Sequence, residues 1–350
     1  MDRLNGKDSL TPGQSIVSAD GRFSLALQPD GNLVMSRAGA EIRWSTGTAG
    51  SGAARLTMQS DGNLVLYTAA SQPLWSTGTW GRPGAWAVMQ SDGNFVVYAT
   101  GAPAALWASN TWIAAKGVDG FAPGSSGLPF RNDYPPGTRW QIVDLPIVGP
   151  MLTADAGNGL CGGFGYTVVD MFLASPRLAP PTDPTRPADG SPRFDYLTGR
   201  LLDSFNGAVP YGTILKLIDW IATPNGDSFL RQGLSRMMAA GEWPSVKGDI
   251  DANRPSPIVL VGPPEAAPTD AATIKQALSS SHQVVAYAYE AGPSDVTVYV
   301  LDPNNPTETA ATLYLPLAHP DQGITTQNLG DFRGFFRSHY TWHNPRPVWG

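Results

Sequence analysis

Apolar and polar residues alternate with a period of two in three short stretches of the first third of the chain. Gln90, Asp92, Asn94, Val96 and Tyr98 fall on one side of the alternation, and Phe95 and Val97 on the other. Leu64 and Leu66 hold the apolar side in the preceding copy. A period of two is the signature of a strand with one buried face. The stretch repeats at a spacing of 31 residues, as Gln28 to Ser36, Gln59 to Tyr67 and Gln90 to Tyr98. A second marker travels in phase: Trp44-Ser45-Thr46, Trp75-Ser76-Thr77 and Trp107-Ala108-Ser109. Two markers over three copies define an internal repeat.

The polar side of each copy lines up an amide, a carboxylate, an amide, a valine and, in two copies, a phenol. Sugar hydroxyls both donate and accept. Asp accepts, Asn and Gln do both, and Tyr meets a third hydroxyl. The expected carbohydrate-binding residues are Gln59, Asp61, Asn63, Val65 and Tyr67, then Gln90, Asp92, Asn94, Val96 and Tyr98. The first copy offers Gln28, Asp30, Asn32 and Val34, but Ser36 stands in place of the tyrosine, so this site is expected to be the weakest. The competing reading is a scaffold whose sugar sites have decayed.

The pattern Gln-x-Asp-x-Asn-x-Val-x-Tyr resembles the bulb-type mannose-binding lectins of monocots. The resemblance covers residues 1–113. It implies an all-β fold, a β-prism of three four-stranded sheets, with one mannose site per motif and the repeat tryptophans in the centre. The single cysteine, Cys161, rules out the disulfide of the plant members.

After Trp112 the repeat stops. Residues 114–126 read as a linker, and 127–350 as a second, α+β domain. Helices are expected at Gly163–Leu173, Tyr211–Ile221 and Phe229–Ala240. Strands are expected at Pro257–Val261, Gln283–Tyr289 and Val296–Leu301. The second helix carries Ile214, Leu217, Ile218 and Ile221 as one apolar stripe.

Cys161 precedes an apolar run in Gly159-Leu160-Cys161-Gly162-Gly163. At a helix N-terminus its thiolate is favoured, and the glycines are expected to leave room for a substrate. A small buried thiol is the plain alternative. His282 opens one predicted strand and Asp302 closes the next, around a turn at Ala291-Gly292-Pro293-Ser294. A hairpin centred near residue 292 sets 282 opposite 302, about 4.5–5.5 Å apart. A base held by a carboxylate is the arrangement nucleophilic catalysis needs. A structural His–Asp pair, or a simple turn at Asp302, would read the same way.

The order Cys161, His282, Asp302 resembles papain-like cysteine peptidases, and the segments around them resemble the double-glycine leader peptidases. The resemblance implies Cys161 as nucleophile, His282 as general base and then acid, and Asp302 as its orienter. The upstream glutamine usual in the oxyanion hole is absent, which leaves Asn158 and the Cys161 backbone N–H as candidates. The whole then resembles the chimerolectins of fungi, with a defensive role implied by analogy alone.

The expected partners are mannose-containing glycans or glycoproteins and a peptide or amide substrate. The alternatives are a non-catalytic lectin whose second domain forms a homodimer, and a thiol acyltransferase or amidase. A net charge of −6 without a Lys/Arg cluster argues against nucleic acid. No run approaches the roughly 18 apolar residues of a membrane span. No cofactor or metal site is expected, and the Asp-Gly-Asn segments read as the lectin motif rather than calcium loops. His319, His339 and His343 are assigned no chemistry, and the aromatic tail from Phe335 to Trp349 is expected to pack against a domain. The N-terminus shows no signal-peptide core, so a cytoplasmic protein is expected, with unconventional secretion leaving no readable mark.

Overall fold

The structure is a computed structural model. It describes the chain except residues 20, 38–40, 102–104, 146–148, 207–209, 228–231, 264–275, 277–278 and 307–310, and the side chains of 41, 139–155 and 158. The chain forms two compact units, Met1–Ala114 and Ala115–Gly350.

The first unit begins with three very short strands: β1 (Arg3–Leu4), β2 (Ser9–Leu10) and β3 (Ser15–Val17). The first copy supplies β4 (Phe23–Leu27), β5 (Leu33–Arg37) and β6 (Glu41–Ser45). The second supplies β7 (Ala53–Met58), β8 (Leu64–Thr68) and β9 (Pro73–Ser76), and the third β10 (Trp86–Met89), β11 (Phe95–Tyr98) and β12 (Ala105–Ala108). Each copy is a three-stranded antiparallel meander. One opening strand completes each to four: β3 on the first, β2 on the second and β1 on the third. Three four-stranded antiparallel sheets in this arrangement fit a β-prism.

The alternation explains the core. Leu33, Met35, Leu64, Leu66, Phe95 and Val97 are all fully buried in one cluster. Trp44, Trp75 and Trp107 meet pairwise edge to face, with centroids 5.5–5.8 Å apart. This is a favoured aromatic geometry, and each repeat contributes one ring.

The second unit opens with β13 (Ala114–Gly117) and a short helix, α1 (Pro123–Ser126). The segment expected as linker is therefore folded. Val118 and Phe121 are buried in the second core, and the Val118 N–H donates to the Tyr287 carbonyl at 2.9 Å. Its glycines mark turns inside the domain rather than a tether between domains. A hairpin of β14 (Arg139–Leu145) and β15 (Gly149–Asp155) precedes the long helix α2 (Cys161–Leu173). Then follow α3 (Pro192–Phe205), α4 (Gly212–Ile221), α5 (Leu234–Met237) and α6 (Trp243–Asp251), with a five-residue π turn joining the last two. In α4, Trp220 takes the buried place expected for Ile218, which is half-buried. The helix expected at Phe229–Ala240 starts at Leu234, and residues 228–231 lie outside the described ones.

The sheet follows as β16 (Ser256–Val261), β17 (His282–Ala291), β18 (Val296–Leu301), β19 (Ala311–Leu315), β20 (Thr325–Gln327) and β21 (Gly334–Arg337). Its order is β20-β19-β18-β17-β16-β21, with β13 also paired to β17. A last short helix, α7 (Arg346–Trp349), ends the chain.

Helix α2 lies against α3 on one side and β17 on another. A Cβ on Gly163 would stand 2.1 Å from the Leu197 carbonyl, and one on Gly162 would stand 2.2 Å from the Ser204 Oγ. These glycines serve helix packing. They do not open space for a substrate. Helix α2 also carries a fully buried Asp170, which accepts from Arg200 Nε (2.7 Å), Tyr340 Oη (2.6 Å), Tyr196 Oη (2.9 Å) and the His343 N–H (3.0 Å). The aromatic tail is thereby pinned over α2 and α3. Burial pushes the Asp170 carboxyl up, against the opposing Arg200 charge.

Candidate functional site

The polar face of the first unit is built the same way three times. Asp30, Asp61 and Asp92 each fold back to accept the N–H of Asn32, Asn63 or Asn94 at 2.9–3.0 Å. Each Asn Oδ1 accepts from a backbone N–H in the segment after its repeat tryptophan: Thr48, Thr79 or Thr111. The glycine between Asp and Asn is left-handed in every copy, with φ of 85°, 94° and 82°. At Gly62 a Cβ would lie 2.1 Å from the Arg82 carbonyl, so only glycine lets the next loop lie this close. One carboxylate oxygen and the amide N–H groups of each Asn remain without a partner among the described residues.

The copies diverge at the tyrosine. Gln59 Nε2 donates to Tyr67 Oη at 2.9 Å, and Gln90 Nε2 donates to Tyr98 Oη at 3.1 Å. Ser36 instead sits 3.2 Å from Ser24 Oγ, and Gln28 has no phenol to orient it. Val34, Val65 and Val96 are buried, at 3%, 3% and 1% exposure, so the valines form the floor beneath these groups rather than an open apolar contact. The cross-strand neighbour of the tyrosine position also varies, and the repeat motif gave no sign of this. It is Ser24 in the first sheet, Arg55 in the second and Trp86 in the third. The Arg55 guanidinium lies over the Tyr67 ring at 5.7 Å, and the Trp86 and Tyr98 rings lie 5.3 Å apart.

In the second unit, Cys161 starts α2 and is half-buried, and the His282 imidazole acts on its thiol. His282 Nε2 lies 2.7 Å from Asp302 Oδ1. Phe332 stacks on the imidazole at 6.4 Å. The hairpin register differs from the expected one. Ala291 pairs with Val296, and a bulge at Tyr287 leaves Val285 paired with Leu301. That register sets Asp302 across from Val284, not His282. The ring reaches Asp302 diagonally, a distance a long side chain covers.

Burial pushes the Cys161 thiol up. The hydrogen bond and charge of His282, with the backbone N–H groups of Gln283 and Gly162, outweigh it and hold the thiol below its ordinary value. Burial disfavours the charged imidazole as well, yet Asp302 and Cys161 raise its pKa to about 10. The arrangement favours a thiolate beside an imidazolium.

The side chain of Asn158, expected in the oxyanion hole, lies outside the described residues. The asparagine that the structure does place beside the cysteine loop is Asn132. Its Oδ1 accepts the Leu160 N–H at 2.6 Å, and its Nδ2 donates to Asn304 Oδ1 at 3.1 Å. The sequence carried no mark of it beyond its residue type.

No family model matches the chain. No curated protein matches it either. Among solved structures, a Japanese Marasmius oreades lectin is 31% identical over 31% of this chain and 90% of its own, with a TM-score of 0.30. A monomeric monocot mannose-binding lectin from Gastrodia elata is 37% identical over 32% of this chain and 99% of its own, with a TM-score of 0.29. The mannose-specific agglutinin of snowdrop (Galanthus nivalis) bulbs, complexed with methyl-alpha-D-mannoside, is 33% identical over 30% of this chain and 94% of its own, with a TM-score of 0.27. The structural neighbours of the N-terminal 30% or so of the chain are bulb-type mannose-binding lectins.

Proposed function

We propose that the first unit binds mannose-containing glycans and that the second is a papain-like thiol hydrolase directed to them. The sugar reading is supported by the repeated pair of a glutamine amide fixed on a tyrosine hydroxyl beside an open carboxylate and amide. Each site is shallow and weak alone, and two or three on one unit gain by multivalency. Such binding raises the local concentration of the second unit at a glycosylated surface or glycoprotein.

The hydrolase reading is supported by Cys161 at the start of α2, the His282 charge acting on its thiol, and the 2.7 Å bond of His282 Nε2 to Asp302 Oδ1. In this reading, the thiolate attacks a substrate carbonyl carbon and a C–S bond forms. The imidazolium gives its proton to the leaving amine as the C–N bond breaks. The neutral imidazole then takes a proton from water as the hydroxide attacks the acyl-enzyme, releasing the acid and the thiolate. Asp302 holds the ring in orientation throughout.

Two measurements test the two halves separately. Calorimetric titration with methyl α-mannoside should show binding that is lost in Asp61→Ala/Asp92→Ala, while Asp30→Ala matters less. No binding by the intact chain removes the sugar reading. A peptidyl epoxide should label Cys161 faster than it labels free cysteine. Labelling at the free-thiol rate, with Cys161→Ala leaving every activity unchanged, would leave a non-catalytic domain. Product formed only with an added amine would mean acyl transfer.

A further inference from the structure

We infer that Trp80 and Trp112 form a second, aromatic subsite beside the second and third sugar sites, taking the C–H face of the neighbouring hexose in a mannose oligosaccharide. This rests on the proposed mannose reading and extends it from one ring to two.

The two tryptophans occupy the same place in the repeat. They follow Trp75-Ser76-Thr77-Gly78-Thr79 and Trp107-Ala108-Ser109-Asn110-Thr111, and Ala49 holds that place after Trp44-Ser45-Thr46-Gly47-Thr48. The sugar motif itself fixes the backbone on both sides. The Thr79 N–H donates to Asn63 Oδ1 at 3.0 Å, and the Arg82 N–H donates to the Asp61 carbonyl at 2.8 Å. In the third copy, the Thr111 N–H donates to Asn94 Oδ1 at 3.3 Å and the Ile113 N–H to the Asp92 carbonyl at 2.6 Å. In the first copy, Thr48 and Gly50 make the same two bonds to Asn32 and Asp30 around Ala49. The same pair of bonds thus brackets this position in every copy, one residue further on in the second, where Gly81 follows Trp80.

That side chain is an exposed indole where the tyrosine is present and a methyl group where Ser36 replaces it. Trp80 is 72% exposed and Trp112 43%, whereas the repeat tryptophans pack against one another. Single exposed apolar residues are common, but these two recur at one place in the repeat, next to its polar face. A hexopyranose offers an apolar partner: its ring C–H groups carry partial positive charge and suit the negative face of an indole. The ring held by Asp and Asn uses its hydroxyls, so the stacking face is left for the next ring along.

The experiment compares the full chain with Trp80→Ala/Trp112→Ala by calorimetry, using methyl α-mannoside and a linear mannotriose. Both positions are exposed, so the circular dichroism spectrum should not change. The variant should lose roughly three- to tenfold in mannotriose affinity and stay within about twofold for the monosaccharide. Equal losses for both ligands, or none for mannotriose, overturn the subsite. A variant that keeps both affinities but changes oligomeric state in sedimentation also overturns it and assigns the indoles to a contact between copies. An intact chain that binds neither sugar ends the mannose reading and this inference with it. One that binds both equally ends the inference alone.

Discussion

The side-chain oxygen of Asn132 accepts the N–H of Leu160 at 2.6 Å, one residue before Cys161. The same amide donates to Asn304, whose own N–H donates to Asp302 Oδ1 at 2.9 Å. One side chain thus joins the loop that presents the thiol to the turn that holds Asp302. Asn132→Leu leaves the Leu160 N–H buried and unpaired, at a cost of about 1–3 kcal/mol. Its urea midpoint should fall, and Cys161 should react more slowly with alkylating agents. Asn132→Asp keeps the acceptor and should recover part of both. Unchanged midpoint and reactivity in Asn132→Leu would deny the link.

Alkylation of Cys161 should have an unusual pH dependence. A thiol held below its ordinary value keeps its thiolate as the pH falls, so iodoacetamide should react at pH values where a free thiol, with a pKa of about 8.5, is mostly protonated. His282→Ala should move that acidic limb upward. A wild-type midpoint at the free-thiol value, or one indifferent to His282, would show that the two groups do not form an ion pair. The same pair bears on stability. The folded imidazole binds its proton more tightly than the unfolded one, so its contribution is complete below a pH of about 6.5 and is lost as the pH rises through about 10.

Ser36→Tyr should rebuild the first sugar site. Gln28, Asp30 and Asn32 are already in place, and a phenol at position 36 restores the glutamine's partner. Introduced into Asp61→Ala/Asp92→Ala, it should return mannoside binding at one site per chain. Continued absence of binding would locate the defect elsewhere in the first sheet, Ser24 being the first candidate.

Arg200→Leu should destabilise the second unit by about 3–5 kcal/mol, because it strands the fully buried Asp170 without its cation. The loss should appear as a lower thermal midpoint for that unit, with the first unit unaffected. A shift of under a degree or two would mean that the tyrosines and the His343 N–H suffice to hold the carboxyl.

The polar face of the first unit was legible because a strand writes its two faces into alternate positions, and three copies in phase repeat the message. Strands β1 to β3 were not, since two or three residues are too few to carry a period. The meeting of His282 and Asp302 was legible from two apolar runs around a turn. Its register was not, because the turn is centred between Pro293 and Ser294 rather than near 292, and the bulge at Tyr287 takes back only one residue of that shift. Gly162 and Gly163 were read as clearance for a substrate, since sequence records that a side chain is absent but not which neighbour required it. Asn132 was invisible because its contact with Leu160 spans 28 residues and depends on the path of the chain between.

The opening segment of the chain also has a consequence for how the protein is made. Arg3–Leu4 completes the third sheet by pairing with Ala87 and Val88, and Trp107 is needed to finish the ring of three indoles. A nascent chain that has emerged only through its second copy still holds its first strand unmatched. The first unit should therefore close its three sheets together, once its third copy has emerged. Trimming the first few residues should loosen the most distant repeat before the adjacent one.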